Sequence, residues 1–214
     1  MTRRTLGCLL EVAETLALTL IIFLVIQNFV AQPFMVEQQS MEHTLEPNQY
    51  VLVDKLTPRF TAYQRGDIVV FHPPGEDASA TPFIKRIIGL PGDRIEFRDG
   101  AVWVNGERLD EPYVYDRQPT LPGPTGSLII VPPGQYFGMG DHREDSTDSR
   151  VFGTIRASDI IGRAFLRYWP LPSLSVLAVP TYAGVPSSPS SGGGDPPAPA
   201  STGPSGRRTA PLAA

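Results

Sequence analysis

Two hydrophobic patterns divide the chain. Residues 15–30 run Thr-Leu-Ala-Leu-Thr-Leu-Ile-Ile-Phe-Leu-Val-Ile-Gln-Asn-Phe-Val, apolar around the whole circumference of a helix rather than along one stripe. With Val12 and Ala13 in front and Ala31 behind, the run reaches roughly 17–20 residues, which at about 1.5 Å per residue predicts a single membrane span over 12–31. Gln27 and Asn28 lie at one end of it, Glu11 and Glu14 at the other. Pro33 is expected to end the helix, since it lacks a backbone donor and pushes Gln32 toward extended geometry. Beyond it the pattern shortens to β-rich runs bounded by turn residues: 50–53, 67–72, 83–88, 94–98, 101–104, 128–131, 135–138 and 160–168. Asp99-Gly100 joins two of them as a hairpin. About eight strands predict a folded antiparallel sheet, and residues 116–126, rich in Pro and Gly, an excursion loop.

The flanks of the apolar run orient it. Arg3 and Arg4 precede it and Glu37, Glu42 and Glu46 follow, so the positive-inside rule puts residues 1–11 in the cytoplasm and the remainder outside. A cleaved secretory signal is the competing reading. Pro33, just behind the only candidate alanine, and Cys8, placed before the run rather than after it, favour retention. Residues 32–170 then form one extracytoplasmic domain, and residues 171–214, dominated by Pro, Ser, Gly and Ala, a mostly disordered tail.

Composition narrows the chemistry. With 23 prolines and 20 glycines in 214 residues, a helical bundle is excluded. A net charge of −4 without a dense Lys/Arg cluster excludes a nucleic-acid face. One cysteine and three scattered histidines provide neither a disulfide framework nor zinc-ligand spacing, so no cofactor or metal is expected.

Three segments carry the candidate chemistry. Ser40 follows the apolar run by about ten residues, which reach at most about 35 Å when extended, so it stays near the bilayer surface. Lys85 lies in Phe83-Ile84-Lys85-Arg86-Ile87-Ile88. Alternation puts it on the face of Phe83 and Ile87, with Arg86 on the other side. Apolar neighbours disfavour the ammonium, and bringing a lysine from about 10.4 to about 8 takes roughly 3 kcal/mol of differential desolvation. Arg86 does not lose its proton, so Lys85 is the base of the two. The third segment, Gly140-Asp141-His142-Arg143-Glu144-Asp145-Ser146-Thr147-Asp148-Ser149-Arg150, is dense in charge and hydroxyls.

In this order the segments resemble the sequence boxes of bacterial type I signal peptidases, the Ser/Lys-dyad proteases. Ser40-Met41-Glu42-His43-Thr44-Leu45 is similar to Ser-Met-x-Pro-Thr-Leu, with His43 in the proline position. Phe83 to Asp93 matches the lysine box through Gly89-Leu90-Pro91-Gly92-Asp93, and Arg65-Gly66-Asp67 resembles the strand box between them. The third segment resembles Gly-Asp-Asn-Arg-x-x-Ser-x-Asp-Ser-Arg, with His142 for asparagine. The resemblance implies Ser40 as nucleophile, Lys85 as base, Ser146 orienting the lysine amine, and an Asp148–Arg150 ion pair in support. It implies a mainly β, signal-peptidase-type catalytic domain in the bacterial cell membrane, cutting signal peptides from exported pre-proteins after a small-x-small sequence. Gln38, two before the nucleophile, stands where the family has Ser or Gly, which leaves its part in an oxyanion hole open. Two rivals remain: a Ser-His-Asp hydrolase using His72 or His142, and a catalytically inactive membrane-tethered β-domain that binds exported proteins.

Overall fold

A computed structural model of the chain describes residues 3–76 and 79–188. Helix α1 (Arg3–Val25) passes into a π turn at Ile26–Val30, and Ala31, extended at φ −150°, opens strand β1 (Ala31–Met35). The helix therefore ends ahead of Pro33, which sits inside β1 opposite Leu52. β1 is the outermost strand of its sheet, where a missing N–H is tolerated. This corrects the single span expected over 12–31: among the described residues no helix is long and apolar enough to cross a membrane. The physical reason is length and charge. From Thr15 to Val25 the helix rises only about 16 Å, against a hydrocarbon core of about 30 Å, and Glu11 and Glu14 interrupt it on the N-terminal side. Its apolar side chains, among them Leu16, Leu20, Ile22 and Phe23, are nonetheless exposed.

The described residues past α1 form twelve short strands in two antiparallel sheets, more than the eight expected. After β1 come β2 (Tyr50–Asp54), β3 (Ile68–Phe71), β4 (Phe83–Gly89), β5 (Arg94–Arg98), β6 (Ala101–Val104), β7 (Glu107–Arg108), β8 (Leu128–Ile130), β9 (Gln135–Met139), β10 (Ile155–Arg156), β11 (Ile160–Trp169) and β12 (Ser175–Val176). A single helical turn, α2 (Ser149–Phe152), precedes β10. The larger sheet runs β1-β2-β11-β3-β4-β9-β10, with β12 also pairing β11, and the smaller runs β7-β6-β5-β8. The Asp99-Gly100 hairpin joins β5 and β6 as its turn chemistry requires, both residues having positive φ. The strands not read from the pattern are two-residue pairings or, in β1, a segment whose proline argued against a ladder.

Three apolar clusters fill the interior. Ile88, Ile95, Val102, Val104, Val131 and Phe137 join the two sheets. Val36, Met41, Leu45, Val51, Val70 and Ile84 pack the segment around Ser40 onto the larger sheet. Val69, Phe71, Ile87 and Ile155 make the third, beside Lys85. Their burial accounts for the alternating pattern of β2 and β5 and the unbroken one of β3 and β4.

The chain does not leave the domain at residue 171, where the tail was expected to begin. β12 pairs β11, and Tyr182 and Val185 are buried in the inter-sheet cluster. Buried Arg65 donates through Nε to the Pro186 carbonyl, and its backbone N–H donates to the Ser187 carbonyl. Two large side chains and two hydrogen bonds suffice to order a segment that composition marks as loose. The remainder of the expected tail lies outside the described residues. Ending the chain at Pro180 removes both core residues and both acceptors, so it should cost about 3 kcal/mol or more. Urea unfolding measures this, and an unchanged midpoint would show that 181–188 contribute nothing.

Candidate active site

The centre of the site is one contact: Lys85 Nζ lies 2.7 Å from Ser40 Oγ. Ser40 sits in a 3-10 turn (Gln39–Met41) held down by fully buried Met41 and Leu45. Lys85, itself fully buried, projects from β4 between Val69 of β3 and the Gly138 position of β9. A Cβ at Gly138 would stand 2.8 Å from Ile155 and 3.3 Å from the Lys85 Cβ, so glycine leaves room for the lysine stem. The Phe83 ring centroid is 5.2 Å from Nζ, on the face that strand alternation assigns. Burial lowers the Lys85 pKa from its ordinary 10.5 to about 8; Asp148 and Asp141 pull upward, and Arg150 adds to the lowering.

Those two carboxylates are engaged elsewhere. Asp148 Oδ2 accepts from Ser146 Oγ at 2.8 Å, the Gly140 N–H at 3.1 Å and Arg150 Nη2 at 2.8 Å, while Oδ1 accepts from Arg150 Nε at 2.9 Å. Burial raises its pKa, yet the Arg150 guanidinium and the backbone donors hold it below the ordinary value. Asp141 accepts a fork from Arg86, Nε to Oδ1 at 2.9 Å and Nη2 to Oδ2 at 2.7 Å, and a third bond from Thr44 Oγ1. Burial disfavours the Arg86 charge, and Asp141 outweighs it, keeping the guanidinium protonated. Lys85 and Arg86 are thus neighbours in sequence with opposite tasks on opposite faces.

Every candidate residue comes to one place, with one difference in wiring. Ser146, expected on the lysine amine, spends its proton on Asp148. Its Oγ and the Ser40 carbonyl both lie within 2.5 Å of where a Cβ at Gly140 would be, so only glycine fits there. Gln38 is exposed and lines a cleft of about 230 Å³ beside Ser40, together with Pro33, Phe34, Val36, Val51 and Ile84. His43 has φ 81°, a conformation closed to proline, and its N–H reaches Glu46 Oε1 at 3.3 Å. The departure from the family's proline therefore changes the turn itself.

Sequence reasoning missed the tertiary partners. Arg143, fully surrounded, donates to Glu111, to Thr120 and to the Gly140 carbonyl. Arg86 stacks 4.0 Å from the Tyr113 ring, and the hydroxyls of Tyr113 and Tyr182 are 2.7 Å apart. The excursion loop is tied to the site as well, through Thr125 on the Arg150 carbonyl. The histidines do not make a Ser-His-Asp array: His142 meets Ser40 only through its backbone N–H, 3.0 Å from the Ser40 carbonyl.

A serine–lysine contact buried in a β-domain is the centre of the site, and similarity to known proteins gives the family. The signal peptidase, peptidase S26 family matches residues 9–169. The chain is 39% identical over 173 residues to a probable signal peptidase I-2 of Synechocystis, covering 78% of this chain and 77% of that protein. It is 37% identical to a signal peptidase I of Leptolyngbya laminosa, covering 80% and 85%, and 32% identical to signal peptidase IB of Staphylococcus aureus, covering 76% and 90%. A crystal structure of a signal peptidase I from Enterococcus faecalis superposes with a TM-score of 0.40 at 35% identity, over 47% of this chain and 94% of that one. The chain belongs to the signal peptidase family, peptidase S26.

Replacing Asp148 with Asn leaves the Arg150 charge without its counterion in a buried site. Stability should fall by about 3–5 kcal/mol. Chemical denaturation of the variant measures the loss, and a drop under about 1 kcal/mol would mean that the pair is solvated.

Proposed function

We propose that this chain is a membrane-bound serine endopeptidase that removes N-terminal signal peptides from exported pre-proteins by a Ser40–Lys85 dyad. The observation that carries this reading is the 2.7 Å contact between a serine hydroxyl and a lysine whose burial makes it a base near pH 8. Neutral Lys85 takes the Ser40 proton as Oγ attacks the scissile carbonyl. Lys85, now an ammonium, protonates the departing amine, and the same nitrogen then draws a proton from the water that cleaves the acyl-enzyme. The resemblance gives Ser146 the part of positioning the base; its proton goes to Asp148, which leaves its oxygen as an acceptor for the amine. The Asp148–Arg150 pair holds Ser146 in turn. The Ser40 backbone N–H stands beside the developing oxyanion.

The substrate reading follows from the cleft. It runs between residues 32–38 and residues 81–84, beside the outer edge of the larger sheet, so an extended peptide fits along it. Its small volume and the apolar side chains of Phe34, Val51, Val70 and Ile84 in its mixed lining suit small side chains ahead of the cut. The exposed apolar side chains of α1, with exposed Met35 and Trp169 nearer the domain, provide surface for attachment to a bilayer. The charge asymmetry of the apolar run's flanks, Arg3 and Arg4 before it and Glu37, Glu42 and Glu46 after it, favours an extracytoplasmic placement of the peptidase domain against that bilayer. The inactive-binder alternative lacks support, because nucleophile and base are both present and in contact.

Purified enzyme should cut a labelled pre-protein after a small-x-small sequence, with the site fixed by mass spectrometry. Ser40→Ala and Lys85→Ala should each lower kcat by about 10³-fold or more. A folded Lys85→Ala enzyme of near wild-type rate would sink the dyad. The pH profile has a definite sign: below about 8 Lys85 is an ammonium and accepts no proton. kcat/KM should therefore rise roughly tenfold per pH unit up to that point and level off above it. A profile already flat from pH 6 would assign the base to another group.

A further inference from the structure

The turn that carries Ser40 is fixed at one end by apolar burial and at the other by an unusual clamp. Met41 and Leu45 anchor it from below. On its outer side Glu42 Oε2 lies 3.0 Å from His142 Nδ1, and the two side chains are only 19% and 15% exposed. The His142 ring stacks on Tyr115, with centroids 4.2 Å apart and planes at 27°. The backbone on either side is tied in as well: His142 N–H donates to the Ser40 carbonyl at 3.0 Å, and Tyr115 N–H donates to the Asp141 carbonyl at 3.0 Å. Three segments distant in sequence therefore meet at one imidazole beside the nucleophile. None of these three side chains touches Lys85, Asp148 or Ser146 through any hydrogen bond described above.

The need for such a clamp is visible in the backbone. His43, next to Glu42, has φ 81°, a left-handed conformation that a non-glycine residue adopts at a cost. Met41 and Leu45 hold the turn from below, and no proline ring stiffens it at position 43. The Glu42–His142 contact restrains the residue between the nucleophile and the strained position, and the Tyr115 ring fixes the plane of the imidazole.

We infer that His142 is a positioning residue for the nucleophile, acting through Glu42 and backed by Tyr115. Its ring holds the Ser40 turn at hydrogen-bonding distance from Lys85, and it neither accepts the serine proton nor binds substrate. This inference rests on the Ser40–Lys85 assignment. It differs from a general structural role because its effect falls on the chemical step: a misplaced nucleophile lowers kcat, while the cleft that sets KM is lined by other residues.

The test is a double-mutant cycle on the full chain with a labelled pre-protein, measuring kcat and KM separately beside thermal unfolding. His142→Ala and Glu42→Ala should each lower kcat about tenfold with KM within about twofold of wild type. The double variant should lose no more than either single one, since both remove one contact. His142→Gln, which keeps a donor for Glu42, should recover most of the loss. Multiplicative losses in the double variant, or a change in KM at constant kcat, would overturn the inference. Ser40→Ala in the same assay separates the two failures. If it is inactive while His142→Ala matches wild type, positioning alone is wrong; if it remains active, the dyad and the clamp fall together.

Discussion

A lysine can serve as a base near neutral pH only where its ammonium is disfavoured, and the interior around Ser40 is organised by that constraint. Apolar burial provides the driving force, through Val69, Ile155 and the space left by Gly138. Burial alone is insufficient, because Asp148 and Asp141 face the same nitrogen and favour its charge. Each is joined to an arginine, Asp148 to Arg150 and Asp141 to Arg86. The arginines keep the carboxylates ionised and occupied, so that neither becomes the counterion of Lys85. The ion pairs beside the Ser40–Lys85 contact thus leave the lysine without a partner charge.

That arrangement depends on how closely the backbone can approach. Gly140 lies against both the Ser40 carbonyl and the Ser146 hydroxyl, and its own carbonyl is capped by Arg143, its N–H by Asp148. Arg143 in turn is held by Glu111 and Thr120, so the loops at 110–120 and 140–150 form one hydrogen-bonded body. A segment dense in charge, which in isolation reads as a solvated loop, is in large part buried: Asp141, Arg143, Asp148 and Arg150 all are. Their mutual pairing is what makes that burial tolerable.

Much of this was legible from the chain alone, because the information is local. Alternation put Lys85 on an apolar face and Arg86 on the opposite one, and both are observed there. The turn chemistry of Asp99-Gly100 and the strands bounded by Gly and Pro also follow from residue type and spacing, while the grouping of Ser40, Lys85 and the Gly140–Arg150 segment came from the resemblance to the signal peptidase boxes. The apolar run before Ala31 was legible as a helix. Its end was not, because the switch to an extended chain at Ala31 is made by pairing with Asp54, a partner more than twenty residues away.

The tertiary structure decided what no local pattern encodes. Whether Pro/Ser/Gly-rich residues 171–188 pack depended on Arg65 meeting the Pro186 and Ser187 backbone and on a vacancy between the sheets for Tyr182 and Val185. The proton of Ser146 goes to Asp148, and Glu42 finds His142, because loops remote in sequence converge. Residue type and strand alternation determine that Lys85 rather than Arg86 is the group able to act as a base, and the order of the sequence boxes marks the other candidates by resemblance. Partner choice among buried polar groups is a competition settled by three-dimensional proximity, since a group left unpaired costs about 1–3 kcal/mol.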